Sequence, residues 1–261
     1  MTWVIGKPTK YGYGLLVSDV AVTYQSGKVE ESLQKVYPVG NFIAAGFSGS
    51  VELGFRMLGY LTESLSSAGP SKMFSPKDVA LKWYRTPRRV FRESPSSLQS
   101  LSCEILIVGI SPIEYLGVKQ FPVVYAAALR SPSFEPELSR DGALCIGRGS
   151  RIESYKNAID GLDRKRDPFA FEFELRTQKP GIVYVDRIAR AVKEYPQKGI
   201  SEALNLCVVR QGNISVTFTE AWEITDSESI VRHKSPVLFR SWEKFRTHCE
   251  KLGANASECS C

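Results

Sequence analysis

Thr2, near the start of the 261-residue sequence, has a side chain suited to nucleophilic chemistry. It follows Met1, and methionine is commonly removed before a small residue, which would leave a hydroxyl group and a free α-amine on Thr2. A terminal α-amine has a reference pKa of about 7.7–8.0, so part of it is neutral near pH 7. The neutral amine can accept the hydroxyl proton directly or through one water. The sequence therefore predicts that Thr2 is a nucleophile that carries its own general base.

Asp19, Lys35 and Gly49 have the side-chain types and the spacing to assist such a nucleophile. A positive charge on Lys35 would favour the deprotonated hydroxyl group, and a negative charge on Asp19 would keep Lys35 ionised and in place. The spacing is 35 − 19 = 16 residues, which is enough for one strand to end and its neighbour to begin. Gly49 ends the next apolar run, where its backbone N–H can point towards a developing oxyanion. We expect these residues and Thr2 to form one catalytic site.

Each of these residues also has a simpler interpretation. An aspartate at the end of a strand is usually a turn residue, and a lysine between strands is usually solvated. The Gly-Phe-Ser-Gly run before a helix often serves only as an N-cap, with Ser48 or Ser50 as the capping side chain. The order and spacing of the whole set favour the catalytic interpretation.

In this order the residues resemble the start of the N-terminal-nucleophile hydrolases of the proteasome β-subunit type, in particular bacterial members without a propeptide. The resemblance extends from Thr2 to about Phe218 and is closest over residues 2–59. It implies a four-layer αββα sandwich and cleavage of peptide bonds through an acyl-enzyme on Thr2, without a cofactor. It also implies that the backbone of Thr23 pairs with an extended substrate. Phe47 falls where the family lines its first specificity pocket, although a core aromatic is an equal alternative.

A second match lies at residues 145–150, Cys-Ile-Gly-Arg-Gly-Ser, which resemble the strand-to-helix turn that supports the nucleophile in this family. Arg148 replaces the supporting serine of that turn, and Ser150 lies close by. The family's Asp-x-x-Ser pattern after a later helix is absent, and Glu194 and Ser201 are the nearest candidates. Three functions therefore stay open: an active threonine-type peptidase, a silent or weakly active structural subunit, and an amidase that acts on non-peptide substrates.

Composition limits the other function classes. Apolar residues make up 43% of the chain and charged residues 24%, which is typical of a globular protein. No run of about 18 apolar residues and no signal-peptide pattern occurs, so we expect a cytoplasmic protein that does not enter a membrane. The net charge of +6 is spread out, and its two basic clusters are not interleaved with aromatics, so nucleic-acid binding is not expected. The two histidines and six cysteines lack zinc-ligand spacing, so no metal is expected.

The elements that would position the site follow from the periodicity. Apolar runs predict strands near residues 2–6, 15–24, 36–45, 103–128 and 203–218. Apolar residues at helical spacing predict a helix over residues 51–65, a second one from Ser75 that Pro87 should kink or break, and two more after residues 150 and 182. Strands alternating with helix pairs predict an α+β fold.

We expect one domain over residues 1–222 and an extension over residues 223–261, with a short helix within 241–252. The resemblance implies peptide or unfolded protein as the substrate. It also implies a homo-oligomeric ring or spiral of at least six subunits, with the helix over 51–65 and the helix after Ser75 as contact surfaces. Any unfoldase partner stays unidentified.

Overall fold

The computed structural model of the chain describes residues 2–67, 74–116, 121–164, 168–217, 220–224, 230–234 and 238–261. It shows a mixed α+β protein with antiparallel sheets, as predicted. The strands are β1 Val4–Pro8, β2 Gly14–Asp19, β3 Ala21–Thr23, β4 Val29–Glu31, β5 Val36–Gly40, β6 Ile43–Gly49, β7 Cys103–Leu116, β8 Phe121–Arg130, β9 Pro136–Ser139, β10 Leu144–Ile146, β11 Leu204–Arg210, β12 Asn213–Thr217, β13 Glu220–Ile224 and β14 Ile230–Lys234. The helices are α1 Val51–Ser66, α2 Pro76–Trp83, α3 Arg85–Arg92, α4 Ser96–Ser100, α5 Glu153–Arg164, α6 Pro168–Thr177, α7 Ile182–Glu194 and α8 Trp242–Lys251.

Two five-stranded sheets form the framework. The first has the strand order β10-β1-β2-β11-β12, and the second has the order β5-β6-β7-β8-β9. Successive side chains of a strand point to opposite faces of its sheet. Along β2, Leu16 belongs to an apolar cluster that also contains Val108 of β7, whereas Leu15 and Val17 belong to a different cluster. The first sheet is therefore buried on both faces.

Three apolar clusters fill the interior. One contains residues from the two sheets only, including Val4 and Leu106. A second joins the second sheet to α1, α2 and α3, and a third joins the first sheet to α5, α6 and α7. Each sheet thus packs against the other sheet through one cluster and against helices through another. Within the described ranges, none of the helices combines the length and the apolar character needed to cross a lipid bilayer.

The helices agree with the sequence in some respects and differ in others. The Ser50 side chain accepts a hydrogen bond from the Leu53 N–H and caps α1, as the N-cap interpretation predicts. The predicted break near Pro87 lies at Tyr84, between α2 and α3, because Pro87 occupies the first turn of α3, where its missing N–H costs no helical hydrogen bond. Two helices have no counterpart among the predicted elements: α4, in the serine-rich segment over residues 94–102, and α6.

Residues beyond the predicted boundary at 222 pack against the first helices. Helix α8 lies within the predicted range of 241–252. Its buried residues belong to the same cluster as β6 and α1, together with buried residues of the segment that follows it: Phe245, Cys249, Ala256, Cys259 and Cys261. Upstream of the helix, Phe239 forms a parallel bridge with Leu33, just before β5. The domain boundary itself stays a prediction, but residues 239–261 are not a detached tail.

We predict opposite effects for two Gly→Ala substitutions in α1. A Cβ atom at Gly54 would lie 2.1 Å from a ring carbon of the buried Phe47, so Gly54→Ala should lower the free energy of unfolding by about 1–3 kcal/mol. Nothing lies within 4 Å of a Cβ atom at Gly59, so Gly59→Ala should raise it by about 0.5–1 kcal/mol through helix propensity. Urea unfolding measures both. Equal stabilities would contradict this packing of Phe47 against α1.

Candidate active site

Thr2, Asp19 and Lys35 converge at one buried point. The Lys35 Nζ donates a hydrogen bond to Thr2 Oγ1 at 2.8 Å and another to Asp19 Oδ2 at 2.8 Å. The three residues are 1%, 1% and 0% exposed, in that order, so the lysine is not solvated. Asp19 is the last residue of β2, Lys35 directly precedes β5, and Thr2 lies just before β1. The strand ends therefore bring together the three residues that the spacing predicted.

Asp19 also fixes the backbone around the site. Its Oδ1 accepts a hydrogen bond from the Trp3 N–H at 2.8 Å, and its Oδ2 accepts one from the Ala21 N–H at 3.0 Å in addition to the Lys35 ammonium. The Asp19 N–H donates in turn to the Trp3 carbonyl oxygen at 3.2 Å. Hydrogen bonds to a carboxylate are stronger than those between neutral groups. Asp19 thus sets the position of the residue after Thr2 as well as that of Lys35.

The negative charge of Asp19 affects neighbouring groups. Burial raises the pKa of Tyr155 to about 12, and the charge of Asp19 contributes to that rise. Burial also raises the pKa of Glu31, with further contributions from Glu202 and Asp19. Asp19 and Lys35 themselves are almost fully buried, so the attraction between them is stronger than it would be in water.

The predicted glycine turn supports Thr2 through its backbone. The Gly149 N–H donates to the Thr2 carbonyl oxygen at 3.0 Å. Gly147 has a φ of 83°, and a Cβ atom there would lie 2.3 Å from the same oxygen. Only glycine combines this conformation with so close an approach. The two glycines explain why this turn can close on the residue that carries the predicted nucleophile.

Arg148 and Ser150 lie in that turn but are directed elsewhere. Arg148 is exposed, and the Ser150 hydroxyl donates to the Gly147 carbonyl oxygen at 2.6 Å. Arg148 therefore does not supply the hydroxyl group with which a serine supports the nucleophile in the resembled family. The turn supports Thr2 through the backbone of Gly149 instead.

Ser201 acts on the site from a distance. Its hydroxyl accepts a hydrogen bond from the Val20 N–H at 2.9 Å and donates one to the Ala203 carbonyl oxygen at 2.8 Å. It is buried and connects the residue after Asp19 to the segment that leads into β11. Ser201 is thus a positioning residue for the end of β2. Glu194, the other candidate from this region, is the exposed last residue of α7.

Thr23 and Gly49 pair with the same segment of the chain, and we call the strip between the ends of β3 and β6 that this segment fills the groove. Gly49 ends β6 with a φ of 92°, and its N–H donates to the main-chain oxygen of Cys261 at 2.5 Å. Thr23 ends β3, and its N–H donates to the Ser260 carbonyl oxygen at 2.8 Å. The predicted oxyanion donor and the predicted substrate-pairing strand therefore both face the same short segment of the chain.

Phe47 is placed as a core aromatic. It is fully buried, and its ring centroid lies 5.3 Å from that of Phe55 in α1. A role for Phe47 in a specificity pocket stays a prediction. Its packing fixes the end of β6 against α1, two residues before Gly49.

Glu104 is a residue of the site that the sequence reasoning missed. Its Oε2 accepts hydrogen bonds from the Gly147 N–H at 2.5 Å and from the Ser48 hydroxyl at 3.3 Å. It therefore connects the glycine turn to the end of β6. One signal was available, since Glu104 is the charged residue in an otherwise apolar run over residues 103–110.

Two comparisons with known proteins identified no relative of this chain. A scan against models of protein families gave no match to this chain, and a search of curated proteins found none similar to it. What the site can do therefore has to be inferred from its own geometry.

We predict that the two charges of the site depend on each other for stability. Asp19→Asn leaves Lys35 buried without its counter-charge, which should cost about 3–5 kcal/mol of unfolding free energy in urea. Adding Lys35→Met to Asp19→Asn should recover part of that loss, because the uncompensated charge is gone. Asp160→Asn on the exposed face of α5 is the matched control and should change stability by less than about 0.5 kcal/mol. An Asp19→Asn variant as stable as this control would contradict the buried pair.

Proposed function

We propose that this chain is a threonine-type hydrolase that cleaves peptide amide bonds through an acyl-enzyme on Thr2. The observation that carries the proposal is the contact of the buried Lys35 ammonium with both Thr2 Oγ1 and Asp19 Oδ2, each at 2.8 Å. The two sheets, each with helices packed on its other face, support the four-layer αββα sandwich of the N-terminal-nucleophile hydrolases.

Each group at the site has a role in this reaction. After removal of Met1, the α-amine of Thr2 takes the hydroxyl proton as Oγ1 attacks the carbonyl carbon of the substrate. The positive charge of Lys35 stabilises the developing alkoxide, and the Gly49 N–H donates to the oxyanion. The C–N bond then breaks, and the leaving amine takes the proton. Water hydrolyses the ester and restores the Thr2 hydroxyl.

The groove supports a peptide substrate over a non-peptide amide. Backbone groups of Thr23 and Gly49 engage a main-chain segment in strand-like pairing. Such pairing recognises the peptide backbone whatever the side chains are. A small non-peptide amide would leave most of these groups without a partner, so the arrangement favours an extended peptide.

One observation favours the alternative of a silent or weakly active subunit. Arg148, which stands where the family has a serine, is exposed and does not replace the hydroxyl group that would assist the α-amine of Thr2. The backbone support from Gly149 and the intact contacts of Lys35 favour activity instead. Measurement of turnover decides between the two.

We predict that the purified protein lacks Met1 and forms one covalent adduct with a β-lactone or epoxyketone probe, as measured by intact mass. Thr2→Ala should abolish the adduct, whereas Thr2→Ser should retain it. Lys35→Ala should slow adduct formation roughly 10²-fold or more, because the alkoxide loses its counter-charge. Lys35→Arg should not restore the rate, since a planar guanidinium does not fit a fully buried ammonium site.

Lys198→Ala, at an exposed position, is the matched control and should react like the unaltered protein. Retention of Met1 on the reacting protein would overturn the mechanism. Unchanged reactivity of Lys35→Ala would return Lys35 to a purely structural role.

We also predict a homo-oligomer of at least six subunits in the cytoplasm, as the resemblance implies. On the predicted contact helices α1 and α2, Tyr60 is 38% exposed, whereas Met57 and Trp83 are buried and Tyr84, just after α2, is partly buried. Leu81 of α2, which is 45% exposed, adds to the apolar surface. Light scattering tests the assembly, and a stable 29 kDa monomer at concentrations where peptide is cleaved would contradict it.

A further inference from the structure

Residues 259–261 lie as an extra strand in the groove beside Thr2. Thr23 and Ser260 exchange two backbone hydrogen bonds, at 2.8 and 3.0 Å. Gly49 and Cys261 exchange two more, at 2.5 and 2.8 Å, and the bridges of Ser260 are antiparallel on both sides. The groove thus already holds a main-chain segment in the way an extended peptide would be held.

The segment is anchored just upstream of these contacts. The Val51 N–H donates to the Cys259 carbonyl oxygen at 3.2 Å, and Cys259 is buried in the apolar cluster of α1 and α8. The Ser257 hydroxyl donates to the Glu52 carboxylate. These contacts hold Ser257 and Cys259 in place next to the groove, independently of the pairing of Ser260 and Cys261.

Helix α8 is held by contacts that do not involve residues 260 and 261. His248 lies 3.3 Å from a carboxylate oxygen of Glu30, and the Tyr24 hydroxyl donates to the same carboxylate at 2.8 Å. Both of these partners belong to the hairpin that includes β3 and β4. Displacement of residues 260–261 therefore does not require α8 to move.

Cys261 occupies the position next to the predicted nucleophile. Its main-chain oxygen accepts the Gly49 N–H, the donor assigned to the oxyanion. Its side chain is buried, and the neighbouring Thr2 side chain lowers the pKa of its thiol slightly against the effect of burial. Burial raises the pKa of the Cys261 thiol, and the charge of Lys35 partly offsets that rise, so the neutral thiol is favoured. The space beside Thr2 thus holds a small, uncharged side chain.

We propose that this groove binds an extended peptide with a small side chain beside Thr2, and that residues 260–261 occupy it as an intramolecular competitor which the peptide must displace. That the displacing peptide is a substrate rests on the proposed function. The occupancy of the groove does not depend on it, because it follows from the backbone pairing alone.

Alkylation of Cys261 tests the displacement without reference to catalysis. In the full chain, iodoacetamide labelling followed by peptide mapping should find Cys261 protected, like the buried Cys103 and Cys207, whereas the partly exposed Cys145 reacts. The probe is the peptide Ala-Ser-Glu-Ser-Ser-Ala, which follows residues 256–261 with both cysteines replaced. Increasing probe should raise labelling of Cys261 to a plateau and leave Cys103 and Cys207 unchanged. The same peptide with N-methylated last two amides lacks two donors and should not compete.

A pair of variants at Ser260 tests the backbone bond directly. Ser260→Pro removes the N–H that donates to the Thr23 carbonyl oxygen, whereas Ser260→Ala keeps it. Ser260→Pro should raise the rate of Cys261 labelling roughly tenfold and tighten binding of the probe by a similar factor. Ser260→Ala should behave like the unaltered chain. Ser257→Ala, which removes the bond to Glu52, should act in the same direction with a smaller effect.

The outcomes separate this inference from the proposed function. The inference is overturned if Cys261 stays as protected as Cys103 both at saturating probe and in Ser260→Pro. That result would show that residues 260–261 do not leave the groove. Rapid labelling of Cys261 in the untreated chain would overturn it as well, because the groove would then be open. Displacement without any covalent adduct at Thr2 in Ser260→Pro would uphold the inference while removing the proposed hydrolase activity.

Discussion

The buried ion pair between Lys35 and Asp19 is the interaction on which the rest of the site depends. Removing two charges from water costs several kcal/mol for each, so the pair is stable only when further hydrogen bonds satisfy both groups. Here those bonds come from Thr2 and from the backbone of Trp3 and Ala21. Asp19 belongs to the first sheet, and Lys35 leads into the second. The pair therefore couples the relative position of the two sheets to the position of Thr2.

The backbone of two glycines also helps to hold the segments of the site together. Gly49 and Gly147 lie at the ends of strands in different sheets, and both have positive φ values. At each, the space for a Cβ atom is already occupied by a backbone oxygen, that of Ser102 or that of Thr2. Because the main chain approaches so closely at these two glycines, the Gly49 N–H and the turn that supports the Thr2 carbonyl oxygen both fit into the site. The backbone thus holds the segments around Thr2 in place, and Lys35 and Asp19 supply the charges of the site.

How much the sequence could predict depended on how local each feature is. The N-cap at Ser50, the strand that ends on Asp19 and the spacing to Lys35 follow from short-range patterns, and their elements lie where expected. The contacts of Glu104 with the glycine turn and of Ser201 with Val20 join segments that are distant in the chain. No periodicity encodes such contacts. The acidic residue Glu104 in an otherwise apolar run was the local sign, and it does not identify the groups that it contacts.

The segment over residues 259–261 illustrates a consequence of recognition through the backbone. A groove that binds any extended peptide through main-chain groups exposes unpaired strand edges when it is empty, which favours aggregation. Such a groove cannot distinguish a foreign strand from one of its own chain, because both present the same N–H and C=O groups. A tethered segment also has an effective concentration in the millimolar range for a short connection. On the proposed function, a tethered competitor would weaken the apparent binding of every peptide by the same factor, and discrimination between peptides would come from their side chains.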